Sequence, residues 1–119
     1  MKEIHSLVFL LMFFFVSAVW AGPAPEISGL GNAKCADFIK GYDSGNLNAV
    51  APYLAWAQGF MSAINLSRSK RDLSTKTFAD KRYSADQQLA YLVSYCKEDR
   101  YRDFAGAVIN LYIHLPRKH

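Results

Sequence analysis

Beyond residue 21, the groups able to do chemistry are two cysteines, Cys35 and Cys96, two histidines, His114 and His119, and nine carboxylates. Ser, His and Asp do not recur at spacings that suggest a triad, and neither a glycine-rich phosphate loop nor a zinc-helix motif occurs. In an exported chain two cysteines predict a single disulfide, and a bonded cysteine cannot serve as a nucleophile. Closing a loop of this length stabilises a fold by roughly 4 kcal/mol in the chain-entropy model, comparable to the net stability of a small domain. The rival, a two-cysteine metal site, lacks further ligands because both histidines lie near the C-terminus. His114 is placed to favour the C-terminal end of a helix electrostatically rather than to act as a base or ligand. The chain therefore reads as non-enzymatic, with no cofactor and no metal.

Export is read from the N-terminus. Lys2, an apolar run from Leu7 to Val16 and small residues around Ser17 to Ala21 predict a secretory signal peptide over residues 1–21, cleaved near Ala21. Gly22-Pro23-Ala24-Pro25 follows instead of a stop-transfer cluster, and no cysteine follows the site to carry a lipid. The expectation is a periplasmic or secreted protein without a stable membrane anchor. Loss of Lys2 and Glu3 leaves 13 basic against 9 acidic side chains, still +4. The excess lies between Ser67 and Tyr83, where Arg68, Lys70, Arg71, Lys76, Lys81 and Arg82 face only Asp72 and Asp80. Such a run is either a solvated loop or an electrostatic landing site for lipid headgroups, a polyanion or an acidic protein. Basic and aromatic residues do not interleave as they do where bases are stacked, which with export argues against nucleic acid.

The elements that must position these groups are helical. Residues 22–31, rich in proline and glycine, form a flexible N-terminal segment, and residues 32–119 one small all-α domain of four helices. Asn32 is placed to cap a first helix from Ala33 to about Tyr42, with Cys35, Phe38 and Ile39 on one face. Asp43-Ser44-Gly45-Asn46 is a turn signal. A second helix runs from about Asn48 to Ser67 with Pro52 in its first turn. Ser84-Ala85-Asp86-Gln87 is a capping box that opens a third helix carrying Leu89, Leu92, Val93 and Cys96 inward. A fourth, from about Arg102 to His114, stops before Pro116 and makes an antiparallel hairpin with the third.

The stretch from Tyr53 to Leu66 has neither charge nor proline, and it reads as a buried central helix. Tyr53, Leu54, Ala57, Phe60, Met61 and Ile64 share one face; Ala55, Gly59 and Ala63 line up on the other, with Trp56 between. That small-residue row either admits a neighbouring helix, from the same chain or a second copy, or carries a tolerated surface glycine. Gln58, Ser62 and Asn65 form a narrow polar strip, either a buried seam or a wet edge. Candidate partner-binding residues are Trp56, Gly59, Phe60, Arg68, Lys70 and Arg71. The aromatic members are also the ordinary makings of a core.

Cys35-Ala36-Asp37-Phe38-Ile39 resembles the Cys-x-x-Phe opening of the HdeA/HdeB family of periplasmic acid-stress chaperones. Tyr95-Cys96-Lys97-Glu98-Asp99, followed by Phe104, resembles that family's second-cysteine segment. The resemblance covers about Cys35 to Leu115. It implies a compact helical domain bridged from Cys35 to Cys96, a homodimer at neutral pH that opens in acid to bind unfolding protein clients. In acid, protonation of the nine carboxylates and two histidines would carry the side-chain charge from +4 to about +15. The chain is also similar to small periplasmic immunity proteins of the Tai type, which place an apolar helix with glycine-aromatic steps after a cysteine. The expected function is a stress-protective, chaperone-like protein; the alternative is an immunity protein or other module dedicated to one protein partner.

Overall fold

The computed structural model describes residues 22–119, and the signal peptide expected over residues 1–21 lies outside them. Four helices form: α1 Cys35–Asp43, α2 Leu47–Ser69, α3 Ala85–Glu98 and α4 Phe104–His114. Two 3-10 turns, Gly29–Asn32 and Lys81–Tyr83, precede α1 and α3, and no strand is present among the described residues. One disulfide, Cys35–Cys96, joins the first residue of α1 to the last turn of α3 across 4.9 Å between Cα atoms.

The first helix begins later than Asn32 predicts. Asn32 lies in the 3-10 turn and Lys34 takes the N-cap position without a capping side chain. The free N–H groups of Cys35 and Ala36 donate instead to the carbonyls of Arg102 and Arg100, at 2.8 and 3.0 Å. Phe104 N–H in turn donates to Ala33 at 2.8 Å, and Lys34 Nζ meets Asp103 Oδ1 at 2.6 Å. A helix terminus whose donors are met by distant backbone has no need of a local side-chain cap.

The second helix is capped by Asn46, whose side chain accepts from Asn48 N–H. Pro52 therefore sits in its second turn, one residue deeper than expected. Lacking an N–H, Pro52 cannot donate to the Asn48 carbonyl, which lies on an exposed stretch where water can serve it. At the other end Leu73 N–H returns to the Arg68 carbonyl at 3.0 Å, with Asp72 in the left-handed region at φ 54°, closing the helix as a Schellman turn. The capping box ahead of α3 forms: Ser84 Oγ accepts from Gln87 N–H. Tyr91 meets Asn110 and His114, while Tyr95 lies beside Arg102 and Gly106, so α3 and α4 run antiparallel.

The most buried element is α4, not α2. Six of the eleven residues of α4 are buried, against three of the twenty-three in α2. Leu115, just past its end, is buried as well. The predicted face of α2 does turn inward: Ala57 and Met61 are buried and Tyr53, Leu54, Phe60 and Ile64 pack against the core, joined by buried Val50 and by Trp56 on the flank. Its other face is bare. α1 packs directly on α3 at the disulfide, and α2 rests on α1, α4 and the first 3-10 turn. Lack of charge misled here: alanine, glycine and serine can face water at little cost, so an uncharged helix need not be a covered one.

An aromatic knot fixes the centre. The Phe38, Tyr53 and Phe104 rings meet at centroid distances of 4.8 to 5.2 Å, and Trp56 stacks on Phe60 at 4.9 Å. Such pairs contribute about 0.5–1.5 kcal/mol each beyond their burial.

Candidate functional site

Among the described residues no three His, Cys, Asp or Glu side chains converge as metal ligands. His114 Nδ1 lies 2.8 Å from the Asn110 carbonyl and 3.0 Å from the Tyr91 hydroxyl. The Tyr91 hydroxyl also donates to Asn110 Oδ1. This cluster staples α3 to α4, and burial raises the Tyr91 pKa, followed by neighbouring Tyr83, Tyr95 and Glu98.

The six candidate partner-binding residues separate into three places. Trp56 and Phe60 belong to the flank of the core. Trp56 lies beneath the first 3-10 turn, where a Cβ on Gly31 would stand 2.1 Å from its ring, and Gly31 is buried. Gly29 at φ 69° makes the turn that brings the chain over this ring. The last residues of the 22–31 segment are thus a cover for Trp56.

Gly59 lies on the bare side of α2. Among the described residues nothing stands within 4 Å of a Cβ built on it, so no described helix uses the small-residue row. Around it Ala55, Gln58, Ser62, Ala63 and Leu66 are exposed, giving an uncharged strip along the helix. The polar strip divides. Ser62 donates to its own helix at the Gln58 carbonyl, and Gln58 stays exposed while reaching Gln88 at 3.4 Å. Asn65 turns inward.

An apolar groove borders this strip, lined by Leu54, Ala55, Ala57 and Gln58 of α2 and by Ala85, Gln88 and Leu92 of α3. At its floor Gln88 is the one buried polar side chain among the described residues, 3% exposed, held by its donation to the Tyr83 carbonyl at 2.8 Å. The sequence gives no sign of the groove, because neither Gln88 nor Ala85 stands out until α3 is laid against α2.

The basic residues are the third place. Arg68 Nε donates to the Ser74 carbonyl at 2.6 Å and closes the loop after α2. Lys70 and Arg71 are exposed and make no ion pair among the described residues. Of the two large apolar residues in this segment, Phe78 is half-buried against the core and Leu73 is exposed. Lys76 was not distinguished by sequence, yet its ammonium donates to the Ile113 and Leu115 carbonyls at 2.9 and 2.6 Å and caps the end of α4. Burial lowers its pKa, with Arg117 and Arg68 adding to the effect.

No family model, curated protein or solved structure matches the chain.

Proposed function

We propose that this protein is a non-enzymatic protein-binding module whose docking face is the open side of α2. The observation that carries this is the strip Ala55, Gln58, Gly59, Ser62, Ala63 and Leu66, uncharged, exposed, and bordered by the apolar groove against α3. Small side chains let another backbone approach closely, and Gln58 and Ser62 supply hydrogen bonds at the rim. The surface is ready in the folded state and requires no opening. Export and the Cys35–Cys96 bridge suit a durable module outside the cytoplasm that holds one dedicated partner.

The test uses oxidised protein as bait for an extract of its own compartment at neutral pH, wild type against Gly59→Leu, with helicity checked for both. A stoichiometric protein retained by the wild type and lost by the variant supports this role. An empty wild-type bait, or equal retention by both, overturns it.

A stress-protective, acid-triggered role is the second reading, and one contact favours it. The Lys34–Asp103 ion pair, together with the Phe104 N–H donation to the Ala33 carbonyl, ties down the segment that covers Trp56, and losing that cover would bare the Trp56–Phe60 stack. Suppressed light scattering of an unfolding client at pH 2 to 3 supports this; unchanged aggregation with excess protein removes it.

A further inference from the structure

We propose that the basic end of the molecule docks reversibly on an anionic phospholipid bilayer, through a surface that meets the open face of α2 only at Leu66. Three segments meet there: the C-terminal end of α2, the loop that follows it, and the tail after α4. Thr77 N–H donates to the Pro116 carbonyl at 3.0 Å and Lys118 N–H to Thr75 at 2.9 Å, so loop and tail lie side by side.

Charge is concentrated at this end. Residues 68–82 with Arg117 and Lys118 carry eight basic and two acidic side chains, +6, whereas the rest of 22–119 carries five and seven, −2. The molecule is therefore an electrical dipole that turns this end toward a negative surface. Lys76 and Arg117 stand opposite one another in an isolated antiparallel bridge, and burial lowers the Lys76 pKa, with Arg117 and Arg68 adding to the effect.

Apolar side chains stand among these cations. Leu66, Leu73 and Ile113 are 60%, 42% and 61% exposed. Ile113 gives its carbonyl to Lys76, Leu73 returns its N–H to Arg68, and Leu66 lines a groove with Lys76 and Lys118. A soluble polyanion would satisfy the charge and leave the leucines in water. An anionic bilayer offers headgroups to the cations and a hydrocarbon boundary to the apolar tips, which is the chemistry this surface presents. No helix among the described residues is long and apolar enough to cross a membrane, so the attachment would be at the surface.

The test is sedimentation of oxidised protein 22–119 with vesicles of phosphatidylcholine alone or with added phosphatidylglycerol. Binding is expected only to the anionic vesicles, and it should weaken sharply as salt rises from about 0.05 to about 0.5 M. At about fivefold per basic side chain, Lys70→Glu/Arg71→Glu should weaken it by roughly thirtyfold or more. Lys40→Glu on the exposed side of α1 should leave it within about twofold. Leu73→Ala, which keeps every charge, should weaken it about threefold or more. Equal binding to both vesicles, or no effect of the double reversal, overturns the proposal. So does binding to heparin without binding to vesicles, or an unaffected Leu73→Ala variant, either of which leaves a purely electrostatic site. Because Lys70 and Leu73 lie off the open face of α2, failure here does not touch the protein-binding reading.

Discussion

The side chain of Asn65 closes a ring with the backbone of Lys76. Its Nδ2 donates to the Lys76 carbonyl at 2.9 Å and its Oδ1 accepts from the Lys76 N–H at 2.9 Å. The same oxygen accepts from the Tyr112 hydroxyl at 2.7 Å, so one side chain joins α2, the basic loop and α4. Asn65-Leu66-Ser67 matches a glycosylation sequon, and its acceptor nitrogen is engaged in the fold. Asn65→Ala removes three hydrogen bonds from a half-buried site and should cost about 2–3 kcal/mol, measured by urea unfolding of the oxidised protein. The loop it anchors should also exchange its amide hydrogens faster, with the Lys76 N–H affected first.

Gly31 and Trp56 make a second joint. A methyl group on Gly31 would fall within 2.1 Å of the indole, which Phe60 and Phe104 hold from other sides. Gly31→Ala should destabilise by about 1–3 kcal/mol and shift the tryptophan fluorescence. In combination with Trp56→Phe, which leaves a smaller ring beneath the turn, the total should fall below the sum of the single changes.

Gly59 predicts the opposite sign. With open space around it in a helix interior, Gly59→Ala should stabilise the isolated chain by about 0.5–1 kcal/mol in thermal or urea unfolding. An unchanged or lower stability would show that the backbone at this position depends on glycine.

Stability should fall on the alkaline side. Burial raises the pKa of Tyr53, Tyr91 and Tyr112 above 10.0, so the folded state holds these protons where the unfolded chain releases them. Their contribution is complete below pH 10 and is lost as pH rises through the folded values. Lys76, with its pKa lowered, works in the other direction just below 10.5. Unfolding free energy measured from pH 8 to 11 should therefore decline at the top of the range, and Tyr112→Phe should make that decline shallower. Asp80, held at about 2 by its hydrogen bonds to Arg82, contributes above pH 3.8 and loses that contribution as pH falls through about 2. The pair is exposed, so its effect on stability is small.

Local signals were legible where the structure is local. The Ser84 box opens α3, Asn46 ends the turn before α2, and the inward face of α2 follows the apolar spacing from Tyr53 to Ile64. The two cysteines form the single disulfide that their number predicts. What failed needed partners far along the chain. Asn32 lost its capping role because Arg100 and Arg102 supply the acceptors, and Lys76 gained one because the tail returns beside it. The rank of α4 over α2 was also hidden. Burial is decided by which neighbours cover a helix, and only the assembled hairpin shows α4 beneath α2, α3 and the first turn. Of the candidate site, Gly59 could be found from its row of small residues, but the groove walls on α3 could not.

The central claim is that the open side of α2 receives a protein partner, and site-specific photo-crosslinking in the cell that makes the protein tests it most directly. A benzophenone side chain at Gly59 or Ala63 should give one discrete adduct with a second protein, while the same probe at Lys40 on α1 should give none. No adduct from either α2 position, or the same adduct from Lys40, would contradict the account.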